Sequence, residues 1–234
     1  MGKGWKTAGK LEAAQKKGAK FTKFAREIAV AARMGGPDPE ANSRLKLAIA
    51  AAREASCPKD TIERAIKKGA GLDEGAQIEE VIYEGYGPHG VGIIVECQTD
   101  NRNRTVAEIR NYFKSHGGAL GETNAVAWMF DRVSLVHAKK ADVKDPEEEA
   151  IEVGASDVAK EDEANVYSFF GGVEELDAIR TGLTKRGWEV TVAELSFKPK
   201  DLTEVSETQK AEIFELLKVL EENDDSHRVH ATIE

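Results

Sequence analysis

Gly85, Gly87 and Gly90 in the stretch "EGYGPHGVG", residues 84–92, stand at the spacing G-x-G-x-x-G used by dinucleotide-binding turns. That chemistry needs a strand that turns tightly into a helix, because the pyrophosphate sits on the backbone N–H groups of the helix N-terminus. Here the third glycine is followed by Val91, Gly92, Ile93, Ile94, Val95, Glu96 and Cys97, a β-branched run with no cap and no helical period. Pro88 has no N–H to give a phosphate, and with His89 it reads as turn chemistry. The context predicts a glycine-rich hairpin and no cofactor.

A second stretch, "TDNRNRT" at residues 99–105, lies between an apolar strand and a helix. Two chemistries fit it. Asp100, Asn101 and Asn103 can serve as turn and capping residues, leaving Arg102 and Arg104 solvated. Alternatively, the helix N-terminus and the two guanidiniums form an anion site for a phosphate or an acidic partner. The groups that hydrolases, kinases and metalloenzymes require are missing: there is no G-x-S-x-G, P-loop or H-E-x-x-H. His89, His116, His137, His227 and His230 are scattered, and His227 and His230, three apart in an expected strand, face opposite sides and make a poor metal site. Glu147, Glu148, Glu149, Glu161, Asp162 and Glu163 sit in charge runs that read as solvated faces. The residues point away from an enzyme and from a metal.

Charge is the more informative signal. Residues 1–70 hold 11 Lys and 5 Arg against 7 acidic residues, a net of +9, while the remainder carries −18, so the overall −9 conceals a basic head on an acidic body. A segment with such an excess binds polyanions by displacing condensed counterions, and the acidic remainder is repelled by the same partner. The candidate nucleic-acid contacts are Lys16, Lys17, Lys20, Lys23, Arg26 and Arg33, then Lys59, Arg64, Lys67 and Lys68, with Arg102 and Arg104 from the polar loop. A solvated helical surface without a partner is the competing reading.

The 234 residues, 41% hydrophobic with 6 prolines, suit packed domains. Cys57 and Cys97 are far apart and lack C-x-x-C spacing, which argues for a reducing compartment. The start "MGKGWKTAGK" is basic without an apolar run behind it, and no later run reaches membrane-spanning length, so a cytoplasmic protein with no membrane partner is expected.

Periodicity places these residues on elements. Phe21, Phe24, Ala25, Ile28 and Ala32 form one helical stripe ended by Gly35 and Gly36, with Lys23, Arg26 and Arg33 expected to point away from the core. Asp38 and Pro39 are expected to open a second helix that buries Leu45, Ala48, Ile49 and Ala52. A third carries Ile62, Ala65 and Ile66 inward and ends at Lys67, Lys68 and Gly69. The second and third could form a helix-turn-helix, a spacing also common in ordinary bundles. After a linker at residues 70–77, strands are expected at 78–86 and 91–97, a helix at 106–116 with Thr105 and Glu108 as a capping box, and a strand at 125–130. From Arg132 the order is βαββαβ, the ferredoxin-like split unit, and a final helix and strand would complete the earlier ββαβ set.

The stretches "FTKFAREIAVAARMGGPDPEANSRLKLAI", "PKDTIERAIKKGAG", "YEGYGPHGVGIIVECQTDNRNRT" and "GGALGETNAVAWMF" closely resemble the YebC/PmpR family, which includes mitochondrial translational activators of cytochrome oxidase. The resemblance covers nearly the whole chain and is strongest over residues 21–130. It implies three domains, an N-terminal helical bundle and two α/β domains around a cleft; with the element order above, the expected fold is α+β with two ferredoxin-like α/β domains, the third domain inserted into the second. The corresponding boundaries are 1–75 for the basic bundle, 76–131 with 204–234 for the discontinuous second domain, and 132–203 for the inserted third. It further implies a non-enzymatic cytoplasmic regulator whose partner is DNA, as in a transcriptional regulator, or ribosomal RNA on the ribosome, as in a translational activator. The acidic body would then be a scaffold or bind protein. A small-ligand-sensing module using the cleft is the alternative. The chain departs from the family at its start: many members open with a Gly-His-Ser-Lys-Trp type segment and a basic run, whereas "KGWKTAGKLEAAQ" keeps Trp5 but lacks the His-Ser pair and part of the basic run.

Overall fold

The structure is a computed structural model that describes residues 4–73, 77–161 and 163–233, with residues 4–17 described by their backbone alone. Lys16 and Lys17 therefore have side chains outside the described residues. Helix α1 runs Gly4–Gly35, far longer than its apolar stripe, and ends at Gly36, whose φ of +89° suits glycine. Helix α2 runs Ser43–Glu54 and α3 Lys59–Gly69. The three share one core in which Ile28, Ala31 and Ala32 meet Leu45, Ala48, Ile49, Ala52, Ile62 and Ala65.

The start of α2 differs from expectation. Asp38 caps only a turn, accepting from Glu40 N at 3.0 Å, and the helix N-cap is Asn42, which accepts from Leu45 N at 3.0 Å. Asn42 prevails because its amide also donates to Ala31 O and Gly36 O, both at 2.8 Å, tying the start of α2 to the end of α1 in a buried position.

Strands β1 (Glu79–Tyr86) and β2 (Gly92–Thr99) pair antiparallel, with Tyr86 opposite Gly92. Helix α4 (Arg102–Ser115) and the short β3 (Ala119–Leu120) come next. The N-cap of α4 is Asn101, which accepts from Arg104 N at 3.1 Å, so Thr105 is a buried helical residue and not the cap. The apolar run at 125–130 is not a strand: residues 127–129 form a 3-10 turn that buries Val126 and Phe130, four apart, and leaves Trp128 65% exposed. Short apolar runs fit either period, and here the helical spacing wins.

Strand β4 begins at Phe130 and runs to Lys139, followed by α5 (Pro146–Val153), β5 (Asp157–Lys160), β6 (Val166–Gly171), α6 (Leu176–Lys185) and β7 (Glu189–Pro199). Helix α7 (Glu207–Glu222) opens on a capping box of Ser206 and Gln209, and β8 (Ser226–Ala231) follows it.

Two antiparallel sheets result, ordered β3-β1-β2-β8 and β5-β6-β4-β7. The fold class is the α+β arrangement expected: N-terminal helices and two antiparallel sheets carrying helices. The chain divides into two compact units, Met1–Ala125 with Glu204–Ala231 and Val126–Thr203 with Thr232–Glu234. In the second, Val136, Ala138 and Phe169 of the sheet pack on Ala150, Val153, Ile179, Leu183 and Trp188. Beside that core Glu149 accepts from Arg186, Lys140 and the Trp188 indole at 2.6, 2.8 and 3.2 Å. Burial opposes its ionisation, but these three donors outweigh it and hold the carboxyl down at about 2.

Candidate nucleic-acid interface

The glycine fingerprint lies in the β1–β2 hairpin. Gly87 N donates to Val91 O at 2.8 Å to close the turn, and Pro88–Gly90 is a single 3-10 turn with His89 at φ +63° and Gly90 at +81°. The chain continues from it into β2, not into a helix. The two His89 ring nitrogens lie 2.8 Å from Glu212 and 3.2 Å from Gln209, which fastens the hairpin to α7. With no helix N-terminus to receive a pyrophosphate, NAD, NADP and FAD are expected to leave the melting temperature unchanged. A saturable rise at micromolar dinucleotide would contradict this.

The cations of α1 are placed differently from the expected solvated face. Lys23 donates to Glu221 O, Arg26 to Asp224 O and to the Asp225 carboxylate at 2.7 Å, and Arg33 to Ile78 O at 2.9 Å. All these acceptors belong to the α/β part of the same unit, so Lys23 and Arg26 lie on an internal contact surface, while Arg33 stays exposed and sends one bond into it. Burial lowers the Lys23 pKa even though Asp224 and Glu221 work against it. The physical reason is simple: a helix can bury its polar side as well as its apolar stripe when each charge finds a partner.

Asp225 is the centre of this contact. Its side chain is 3% exposed and receives Arg26 at 2.7 Å, Arg104 at 2.8 Å, Thr105 Oγ1 at 2.6 Å and Thr99 Oγ1 at 3.2 Å. Nearby, Glu27 accepts from Arg44 at 2.8 and 3.1 Å and from Gln98 at 2.6 Å, with His227 Nε2 at 3.4 Å. Burial raises the Glu27 pKa, but the Arg44 and Gln98 bonds bring it below the usual value. Burial pushes His227 down to about 4, so it is neutral at physiological pH. Spacing singles out neither Asp225 nor Glu27; Asp225 lies in "NDDSH", which reads only as a turn.

The polar loop is satisfied by carboxylates. Arg102 pairs with Glu79 at 3.2 Å, and Arg104 is taken by Asp225 and by Asp100 at 3.3 Å. Of its two readings the capping one has a visible bond, through Asn101, whereas both guanidiniums are engaged. An open cavity of about 500 Å³ beside it is lined by Arg26, Arg104, Glu108, Tyr112, Asn223 and three acidic neighbours. That lining is far more charged than the apolar walls usual in small-molecule sites. Among the described residues no group of three or more His, Cys, Asp or Glu stands ready for a metal ion, and no helix is long and apolar enough to cross a membrane.

The remaining candidates lie towards solvent. Lys20 is exposed, with Nζ 5.8 Å from the Phe24 ring centroid. On α3, Lys59 is 83% exposed and 3.5 Å from Glu63, Arg64 Nε donates to Asp60 O at 3.2 Å, and Lys67 is exposed. Lys68 turns inward, 3.8 Å from Asp100. Arg53, at the end of α2, is also exposed, and sequence reading misses it because it belongs to no motif. The structure thus brings Lys59, Arg64 and Lys67 together on one helix, with Arg53 at the end of the preceding one. It separates them from the engaged group Lys23, Arg26, Arg33, Lys68, Arg102 and Arg104.

Family and structural comparisons agree with this architecture. Residues 5–72 match the TACO1/YebC protein N-terminal domain, and residues 78–233 match the TACO1/YebC second and third domain. A probable transcriptional regulatory protein of Bdellovibrio bacteriovorus is 60% identical over 234 residues, covering 100% of both chains. Another of that description, from Persephonella marina, is 47% identical and covers 94% of this chain and 88% of its own. The crystal structure of a conserved hypothetical protein from Aquifex aeolicus superposes with a TM-score of 0.85 at 44% identity, covering 94% of this chain and 90% of that one. On this sequence and structural agreement, the chain belongs to the TACO1/YebC family.

Proposed function

We propose that the protein is a non-enzymatic, nucleic-acid-binding regulator of gene expression, acting on DNA as a transcriptional regulator or on ribosomal RNA as a translational activator. The observation that carries this reading is the charge segregation: a bundle of net +9 in a chain of net −9. The names of the relatives, probable transcriptional regulatory proteins, support the regulatory role. In this reading the first phosphate contacts are made by Arg53, Lys59, Arg64 and Lys67, with Lys20 and, further along α1, Lys16 and Lys17. The acidic remainder is repelled by the same polyanion and so orients the bundle towards it.

Replacing Arg53, Lys59, Arg64 and Lys67 together by Gln should leave helicity unchanged, since all four are exposed. Each lost phosphate contact flattens the slope of log K against log salt by about 0.9 on duplex DNA and about 0.7 on single strands. If all four engage phosphate, the slope should fall by about 3.6 units on duplex DNA and about 2.8 on single strands. Affinity measured across a salt series on both nucleic acids tests the reading and shows which target is preferred; an unchanged slope in the folded variant removes α3 from the interface.

A further inference from the structure

We propose that the α/β domain of the first unit holds the bundle in a self-inhibited state by occupying, with its own oxygens, cations that a polyanion would otherwise take. The inference rests on the nucleic-acid reading above and concerns the regulation of that same surface.

Five cationic side chains of the bundle end on oxygens of the α/β domain. Arg26 reaches Asp225, Lys68 reaches Asp100, and Arg44 reaches Glu80 at 2.7 Å. Lys23 and Arg33 take the carbonyls of Glu221 and Ile78. The guanidinium fork that grips a carboxylate is the same one that grips a phosphate, so these acceptors stand where nucleic-acid oxygens would stand.

The contact is also of a kind that can open. Its buried apolar cluster among the described residues consists of Ala29, Val30 and Ile78, three small or medium side chains, against ten residues in the bundle's own core. Beside this three-residue cluster, five cation–oxygen contacts cross the junction, and contacts of that kind weaken when a competing anion is offered. Because α3 is joined to β1 by a short covalent connection, the bundle would stay close after release and close again when the polyanion leaves. With two states, measured affinity equals intrinsic affinity reduced by the open fraction, so weakening the junction must tighten nucleic-acid binding.

The full-length protein tests this with a mixed-sequence DNA duplex and, in parallel, a single-stranded RNA. Two junction variants are needed because Asp225 is buried: Asp225→Asn, and the surface double variant Glu80→Gln with Asp100→Asn. Charge-matched controls, Glu147→Gln for the first and Glu147→Gln with Glu148→Gln for the second, remove the same number of carboxylates from an exposed part of the other unit. Self-inhibition predicts that each junction variant binds about 5-fold or more tighter than its control, the low end of usual coupling between sites. Its salt slope should also steepen by about 1 to 2 units as released cations meet phosphate. In the wild-type protein, carbodiimide coupling of Lys68 to Asp100, scored by mass spectrometry, should decline as nucleic acid is added. Folded junction variants indistinguishable from their controls, or coupling that persists at saturation, would overturn self-inhibition and leave the proposed function standing. Absence of binding by every protein, wild type included, would defeat the proposed function and this inference with it.

Discussion

Replacing Asp225 by alanine is expected to lower the unfolding free energy of the first unit by about 3 kcal/mol, the lower end of the range for breaking a buried ion pair. The substitution leaves Arg26 and Arg104 without their shared carboxylate and removes the shortest of the acceptors around the buried Thr105 Oγ1, at 2.6 Å, leaving Asn101 O at 3.0 Å. The cost stays at the low end because Arg104 is 43% exposed and water can replace its partner, while Arg26 at 15% has less recourse. Urea unfolding monitored by far-UV circular dichroism measures the change.

The pH dependence gives an independent check on the same residue. Burial opposes ionisation of Asp225, but the bonds from Thr105 and Arg104 and the charges of Arg26 and Arg104 outweigh it, and the folded-state pKa lies below 3.8. A depressed carboxylate contributes its full stability above its unfolded pKa and loses it as the pH falls through the folded value. The wild-type protein should therefore lose part of its stability below about pH 3.8, and the alanine variant should lack that part. An alanine variant as stable as wild type at neutral pH, with the same acid limb, would show that the carboxylate does not join the bundle to the α/β domain.

Gly69→Ala is expected to have an effect of similar size through a different mechanism. A Cβ at this position would lie 2.2 Å from the carbonyl oxygen of Ala29 and 2.8 Å from Ala32 Cβ, so α3 meets the backbone of α1 with no room for a methyl group. Alanine gains about 1 kcal/mol over glycine in helix propensity, which would favour the variant in an open site. Overpacking in a filled core costs about 1–3 kcal/mol, and a clash with backbone cannot be relieved by a rotamer change, so separation of α1 from α3 should win. Because the clash is with backbone, the cost falls at the upper end of that range, and with the propensity gain set against it the expected net loss is up to about 2 kcal/mol, with reduced cooperativity of bundle unfolding. A variant more stable than wild type would show that this close approach does not exist in solution.

Much of the architecture is readable from sequence, because local rules decide it. The stripe from Phe21 to Ala32, the Asp145 N-cap before Pro146 and the short acidic hairpin at β5–β6 each arise from a period or a cap that needs no distant partner. So does the hairpin at residues 85–90, since the run after Gly90 is β-branched regardless of its surroundings. The errors in the elements come where a long-range bond overrules a local one. Asn42 displaces Asp38 as N-cap by bonding to α1, and residues 127–129 take a 3-10 turn that buries both Val126 and Phe130.

Which cations are available to a partner was decided by tertiary structure alone. Lys23, Arg26 and Arg33 have the same composition and spacing as a solvated helix face, and nothing in their neighbourhood along the chain separates that from a polar contact surface. The deciding acceptors, Asp225 and the carbonyls of Glu221 and Asp224, lie 198 or more residues away from Lys23 and Arg26. Sequence determined how many positive charges the bundle carries. Folding determined which of them the protein keeps for itself, because a charge in a helix is neutral in its choice between water, a phosphate and a carboxylate until the chain brings one of them within reach.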